Sequence, residues 1–596
     1  MDNEHIPEHL TRRTFLFGLM QTTLLGGLVI PLSQLQIKKQ NSYAMLSEHN
    51  RLAVQLVNAP RGRLIDRTGT PLCLNTDNFR LIVRAGSSKE LKTSLQKLHN
   101  MIEIPNFNWE DTLKTFKKHP HHLLPLILKD ALTWDEVVLI ETHRTDFPGI
   151  AVEMGQHRTY PLEGKAVHLL GYTSPLTKEE QASKSAFSPE LRTGKAGLEK
   201  IYDSVLQGDP GSVSLEVNAH RHVMRTIESH PPTPGPDVSV SLDSRLQAYV
   251  AERLQDHNSA SVVVLGRTGE IHALVSHPGF DPHLFRNGIS SSAWADIQGN
   301  IYKPLLNKAL GGVYAPGSTI KMAIALAALE MGSIQPSTLI RCNGFITFRN
   351  HRFHCVKREG HGALDCHQAI ARSCDVFFYE AAKRTGIEHL LPVFQDLGLG
   401  QRFLSPMQEE AAGLLPSPAW KKANRRGAWT PTDTILTGIG QGAFLVTPLQ
   451  LATMAIRLAT GRKIIPTHSL GEQRPPEIPL PFQEHNLMLI RKGIESATLQ
   501  PGGTSFRFRI QEPGMEMAGK TGTSQVKRIT MADRAKGAVR TDHKPWAERE
   551  HAIFCGYAPI HDPRFAISVV VEHGGFGGSV AAPIARDILM FAQKLS

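Results

Sequence analysis

No charged residue interrupts the chain from Thr14 to Ile37. A helix of that run would be roughly 34 Å long, enough to cross the hydrocarbon core of a bilayer. The pattern predicts a transmembrane anchor over residues 14–37, preceded by a short tail, 1–13. Arg12-Arg13 and Lys38-Lys39 flank it almost symmetrically, so basic residues do not set its orientation. Thr11-Arg12-Arg13-Thr14-Phe15-Leu16 also fits a twin-arginine export signal, with a small-residue end at Asn41-Ser42-Tyr43-Ala44. The apolar run exceeds the ~7–15-residue core of a cleaved signal, which favours an uncleaved anchor.

Further along, apolar positions change period. Leu64-Ile65, bounded by turn residues, reads as a strand. Leu91, Leu95, Leu98 and Ile102 recur at helical spacing, with Trp109 and Leu113 continuing the pattern, and predict a small helical insertion over about 85–150. The proline-rich stretch Ser229–Pro236 reads as a linker. After it, Val238–Asp243 alternates as a strand should, a helix follows from Ser244 to Asp256, and Ser261–Leu265 with Ile271–Val275 forms a hairpin. Phe565–Val571 predicts a late strand, and Pro583 to Leu595 a terminal helix. The pattern alone is α+β, divided into 1–13, 14–37, a mixed region 38–235 and a C-terminal domain 236–596.

Length and composition narrow this. At 596 residues, with 41% hydrophobic and 20% charged residues, the chain is globular and too long for one core. Its formal charge of +11 is compatible with nucleic acid, with an anionic membrane or with no charged partner, and nucleic acid is the least favoured of these. The absence of a zinc-finger array, an aromatic-interleaved basic stripe or a helix-turn-helix pattern argues against it.

The chemistry centres on Ala315-Pro316-Gly317-Ser318-Thr319-Ile320-Lys321. If a helix opens after Pro316-Gly317, Ser318 and Lys321 share one face at i and i+3. A serine is a weak nucleophile until a neighbour accepts its proton, and a buried lysine whose amine is neutral can do so. Alone, S-x-x-K also describes a solvated Ser and Lys on any helix. Downstream lie Ser373-Cys374-Asp375 and Lys520-Thr521-Gly522-Thr523.

S-x-x-K, then S-x-N or S-x-D, then K-T-G, in that order, resembles the signature of penicillin-binding proteins and serine β-lactamases. Arg61-Gly62-Arg63-Leu64-Ile65-Asp66-Arg67-Thr68-Gly69, Arg158-Thr159-Tyr160-Pro161, His168-Leu169-Leu170-Gly171 and Gly194-Lys195-Ala196-Gly197-Leu198-Glu199 resemble pedestal motifs of class B penicillin-binding proteins. The chain is similar to the elongation-type penicillin-binding protein 2 group of that class.

That resemblance implies the penicillin-recognising serine transpeptidase fold, an antiparallel sheet with helices. It also implies a non-catalytic pedestal whose head contacts partner proteins, and a single-pass inner-membrane location with the catalytic domain in the periplasm. The implied activity is D,D-transpeptidation of peptidoglycan, in the serine-type D-Ala-D-Ala carboxypeptidase class, with β-lactams as inhibitors and a RodA-type glycosyltransferase as partner. No cofactor is required for the chemistry.

By the same resemblance Ser318 is the nucleophile, Lys321 its base, Ser373 a proton relay, and Lys520 tunes the relay or holds the substrate carboxylate with Thr521 and Thr523. The backbone N–H groups of Ser318 and Thr523 make the oxyanion hole, each worth roughly 3–4 kcal/mol. Gly522 keeps the strand clear for substrate. Asp375 replaces the Asn of many relatives and cannot donate the hydrogen bond an amide can; elongation-type members often carry Asp there. Gly438-Ile439-Gly440-Gln441-Gly442 reads as a structural loop before a helix.

Four of the six cysteines, Cys342, Cys355, Cys366 and Cys374, fall between the first two motifs, interleaved with His351, His354, His361 and His367. An oxidising compartment favours disulfides. Alternatively Cys342, Cys355, His361 and Cys374 supply a tetrahedral Cys₃His site for a structural zinc, a metal region that the family resemblance also implies. Cys366 reads as a packing residue, and Cys73 and Cys555 as buried free thiols.

Overall fold

A computed structural model of the chain describes residues 12–33, 52–83, 88–102, 104, 110, 112–114, 126–177, 179–180, 191–217, 223–286, 289–349, 351–470, 476–526 and 544–595. The site depends on one five-stranded antiparallel sheet, in the order Ile271–His277, Ala260–Gly266, Phe565–Val571, His551–Ala558 and Ala518–Ser524. Ala260–Gly266 and Phe565–Val571 are buried along their whole length, which is why they read as largely apolar runs, with only Ser261 and Ser568 polar, instead of alternating. The helices Ser244–Arg253 and Ala581–Leu595 cover one face, where Tyr249 stacks on Phe591 at 4.0 Å. Asp243 caps the first, accepting from the Arg245 and Leu246 amides.

The other core is helical, and at its centre runs Lys321–Glu330, buried from Lys321 to Leu329. A helix apolar all round has no solvent face, and this one is enclosed by the helices Cys366–Arg372, Asp375–Thr385, Ile387–Asp396 and Glu484–Leu499.

Among the described residues the N-terminal region holds a two-stranded sheet that pairs Thr173–Pro175 with Arg192–Gly194, and two larger ones. Leu52–Val57, Gly211–Val217 and Val223–His230 form one, antiparallel throughout. In the other, Pro71–Val83 pairs with Leu64–Ile65, Leu126–Leu132 and Ile150–Thr159. The helix Ser88–Met101 buries Leu91, Leu95 and Leu98 against that sheet, with Ile102 buried just beyond its end. Trp109 lies outside the described residues, and Leu113 packs half-buried on the same cluster.

Three expectations change. The insertion over 85–150 is not purely helical: Leu126–Leu132, a short apolar run too brief to separate strand from helix by periodicity, pairs with Pro71–Val83. The stretch read as a linker begins inside a strand, where Ser229 and His230 pair with Val213 and Ser212, and Thr233 exchanges two hydrogen bonds with Asp209. The strand expected at Val238–Asp243 is only Val238–Ser239. It runs parallel to Leu64–Ile65 and so completes the N-terminal sheet instead of opening the C-terminal one. Asp66 adds a second tie, accepting from the amide and hydroxyl of Ser244.

The apolar N-terminal run is a helix, Arg12–Ser33, almost wholly exposed, with the Thr22 and Thr23 hydroxyls bonded back to Gly18 and Leu19 carbonyls. Among the described residues no helix is long and apolar enough to cross a membrane. Gln21, Thr22, Thr23, Gly26 and Gly27 dilute the run, and residues 34–37 of the expected span lie outside the described residues.

Candidate active site

Ser318 sits in a 3₁₀ turn, Gly317–Ile320, that leads directly into the helix beginning at Lys321. Three residues per turn eclipse i and i+3, so Ser318 and Lys321 stay on one face by a tighter turn than the α-helix read from sequence. Gly317 makes the turn feasible: its φ is +55°, and a Cβ there would come 2.7 Å from the Thr523 carbonyl oxygen. Its amide donates to Gly440 O at 3.0 Å, and Gln441 Nε2 donates to Thr523 O at 3.3 Å. The Gly438–Gly442 loop therefore braces the nucleophile turn and the edge strand together.

Ser373 caps the helix Cys366–Arg372 in the left-handed region, φ +56°, before the next helix starts at Asp375. Such a conformation is costly for a serine and is held by the Ser373 N–H to Ile370 O and Cys374 N–H to Ala369 O bonds. Its effect is to turn both the Ser373 carbonyl and its side chain toward Lys321. Lys321 Nζ, fully buried, donates to Ser373 O at 2.9 Å, to Ser373 Oγ at 3.2 Å and to Asp375 Oδ1 at 2.7 Å, and lies over the Phe378 ring. Among the described residues none shares a hydrogen bond with the half-buried Ser318 hydroxyl. The lysine is turned toward the second motif and Ser318 Oγ is left open to a substrate.

Lys520 is also fully buried and donates to Thr521 O at 3.1 Å. Burial, reinforced by the charge of Lys321 and opposed by that of Asp375, lowers its ammonium from the ordinary 10.5 to about 7. The amine most readily neutral near neutral pH is thus Lys520. The structure corrects the reason for Gly522: a Cβ would meet Pro316 O and Thr319 Cγ2, both at 2.9 Å, so glycine lets the edge strand close on the nucleophile turn. Thr523 is half-buried at the end of that strand.

Asp375 reaches in two directions. Its Oδ1 holds Lys321, while its Oδ2 accepts the Val356 amide at 2.8 Å. Val356 follows Cys355, and there Cys342, Cys355, His361 and Cys374 converge, their four ligand atoms within 4.8 Å of one another. His361 Nδ1 lies 3.6 Å from Cys342 Sγ and 3.5 Å from Cys355 Sγ. Bonds of about 2.3 Å to sulfur and 2.05 Å to nitrogen at a tetrahedral angle separate two ligands by about 3.5 Å, so the residues fit a zinc ion. The Cys374 thiol and His361 hold Cys355 far below its ordinary value, and Cys374 beside that sulfur is pushed up. All six cysteines are free. Cys366 is fully buried in the helical core, as are Cys73 and Cys555 in theirs. The Val356 link was not legible in sequence, because a backbone amide carries no residue signature.

A serine–lysine turn, a buried lysine pair and an antiparallel edge strand lie together here, the arrangement the sequence motifs lead one to expect of the penicillin-binding transpeptidase class. Residues 260–590 match the penicillin-binding protein transpeptidase domain, and residues 56–240 the penicillin-binding protein dimerisation domain. Peptidoglycan D,D-transpeptidase MrdA of Acinetobacter baumannii is 32% identical, the match covering 93% of this chain and 83% of that one. MrdA of Escherichia coli K12 is 30% identical, with 97% and 93% covered. Penicillin-binding protein 2 of Helicobacter pylori, solved in complex with MreC, superposes with a TM-score of 0.80 at 27% identity, covering 91% of this chain and 99% of that one. A chain solved in a peptidoglycan synthase complex, in work on coordination of polymerization and crosslinking, superposes at 0.69 with 28% identity and 98% of each chain covered. This chain belongs to the class B penicillin-binding protein 2 family of peptidoglycan D,D-transpeptidases.

Proposed function

We propose that the chain cross-links peptidoglycan stem peptides during cell-wall elongation through an acyl-enzyme on Ser318. The observation that carries this is the buried cluster in which Lys321 bonds Ser373 and lies near Lys520, with Ser318 one 3₁₀ turn before Lys321. Ser318 Oγ bonds to the carbonyl carbon of a D-Ala-D-Ala unit, the C–N bond to the terminal D-Ala breaks, and the serine proton passes by way of Lys321 and Ser373 to the leaving amine. An amine of a neighbouring stem peptide then attacks the ester, frees Ser318 and takes the acyl group. Water in place of that amine gives the D,D-carboxypeptidase reaction.

The amides of Ser318 and Thr523 serve as the oxyanion hole. Thr521, Thr523 and Gly522 line the strand that receives the substrate backbone, and Asp375 orients Lys321. β-Lactams acylate the same serine. Fluorescent penicillin applied to the full chain tests this: stoichiometric covalent label on the native protein, lost in Ser318→Ala, is expected, and an unlabelled but folded native protein would sink it.

Cys342, Cys355, His361 and Cys374 hold a structural zinc that fixes the residues on either side of Cys374 and the Val356 amide. About one zinc per chain is expected by metal analysis. Removal by chelator should lower both the melting temperature and the rate of penicillin labelling, with recovery on adding zinc back.

The 14–37 segment, which takes in the exposed helix Arg12–Ser33 from Thr14 onward, anchors the chain in the inner membrane with the catalytic domain in the periplasm. Residues 38–235 form the pedestal and 236–596 the transpeptidase domain. A lipid-II polymerase of the RodA type and an MreC-like protein are the partners; one relative solved in complex with MreC and another solved in a peptidoglycan synthase complex support this.

A further inference from the structure

Between the first two motifs a two-stranded hairpin, Phe345–Phe348 paired with His351–His354, stands out from the helical core. From Arg341 to Arg358 the sequence carries five Arg or Lys residues and no carboxylate. Arg349, Arg352, Lys357 and Arg358 are exposed, and among the described residues none of them pairs with a carboxylate. Uncompensated like charges on one small element repel one another and call for an anion.

The geometry of these cations is set. The Arg352 guanidinium lies 4.8 Å from the Phe345 ring, Arg349 lies 5.8 Å from Phe348, and Lys383 approaches Phe348 from the next helix at 5.6 Å. A guanidinium stacked on a ring keeps its edge free for the two-pronged contact a carboxylate makes. The base of the hairpin is equally fixed: Cys355 N–H donates to Gly344 O at 2.8 Å, Tyr379 Oη donates to His354 O at 3.1 Å, and Val356 N–H donates to Asp375, the residue that also holds Lys321. The cations therefore ride on a stalk mounted against the active site. Four extended residues separate Arg352 from Val356, about 13 Å of chain.

We propose that this hairpin is a docking surface for the peptidoglycan strand itself, with Arg349 and Arg352 binding carboxylates of stem peptides adjacent to the one reacting at Ser318. This rests on the transpeptidase reading and deepens it. The hairpin adds affinity for a polymeric, polyanionic substrate, and a small β-lactam at Ser318 makes no use of it.

The test compares the full native chain with Arg349→Glu/Arg352→Glu in two assays: co-sedimentation with purified peptidoglycan sacculi at low ionic strength, and labelling by fluorescent penicillin. Sacculus binding by the variant is expected to fall at least about five-fold, native binding to weaken with salt, and labelling to stay unchanged. Arg349→Lys/Arg352→Lys, which keeps the charge and loses the two-pronged contact, should recover only part of the binding. Equal sacculus binding by native and charge-reversed proteins, both labelled normally, would overturn the proposal while leaving the transpeptidase reading intact. Sacculus binding unchanged, with preference for phosphatidylglycerol over phosphatidylcholine vesicles lost, would assign the patch to the membrane surface and also overturn it. An unlabelled native protein would instead remove the transpeptidase reading on which the proposal stands.

Discussion

The two halves of the molecule each bury a cluster of opposite charges, and the two clusters do different things. In the N-terminal region Glu199, fully buried, holds Arg61 at 2.7 Å and Arg158 at 2.7 Å, while Asp203 takes the other end of Arg61 at 2.8 Å. In the C-terminal region Lys321 and Lys520 are buried around Asp375, with one direct ion pair and one lysine lowered to about 7. Guanidinium groups do not lose their protons in proteins, so the first cluster ties strands and helices together. Ammonium groups lose theirs once desolvation and a like charge press on them, so the second can move protons.

The sharpest way to break this contrast is to remove the proposed base. Lys321→Met should reduce the rate of penicillin acylation by roughly 10³-fold at a cost in stability below that of the next variant, because Asp375 keeps the Val356 amide and some exposure to water, measured by stopped-time labelling beside calorimetry. Glu199→Ala should do the reverse. Arg158 left buried without its carboxylate, and Arg61 left with Asp203 alone, cost about 3–5 kcal/mol, read from denaturant unfolding, yet the protein that remains folded should label at the native rate. If labelling falls with it, the two clusters are coupled and the contrast fails.

Smaller changes sharpen it. Asp375→Asn removes the charge that holds Lys321 and weakens the acceptor for the Val356 amide, and should slow labelling about 10- to 100-fold. Gly522→Ala pushes Pro316 and Thr319 aside and should slow it about ten-fold, with a loss of stability of about 1–3 kcal/mol. The pH dependence tests Lys520. Its folded value of about 7 lies below the unfolded 10.5, so between those limits the unfolded chain binds the extra proton. The burial penalty is therefore full below pH about 7 and is relieved as pH rises toward 10.5. The stability advantage of Lys520→Met over native should be largest below pH 7 and shrink above it; an advantage independent of pH would show that Lys520 is not depressed.

Much of this was legible before any coordinates. Ser318 and Lys321 are tied by local spacing, and a three-residue offset brings side chains together in any right-handed turn. Phe565–Val571, Leu64–Ile65 and the 260s–270s hairpin follow from short-range hydrophobic pattern, and they appear where the pattern puts them. The four residues of the candidate metal cluster were recognisable by residue type, although type alone left disulfides open.

What pattern could not reach depends on contacts between distant segments. The pairing of Val238–Ser239 with Leu64–Ile65 is a choice of partner strand made by packing, since two short strands carry no address. The bracing of Gly317 by Gly440 and Thr523 comes from close backbone approach, which sequence records only as a glycine. The sequence by itself determined which groups were available for acyl transfer and the local turn that pairs Ser318 with Lys321. Only the tertiary structure decided that Lys520 lies close enough to Lys321, and dry enough, to lose its charge near neutral pH, because proton affinity depends on burial and neighbouring charge, and both are set by segments about 200 residues apart along the chain.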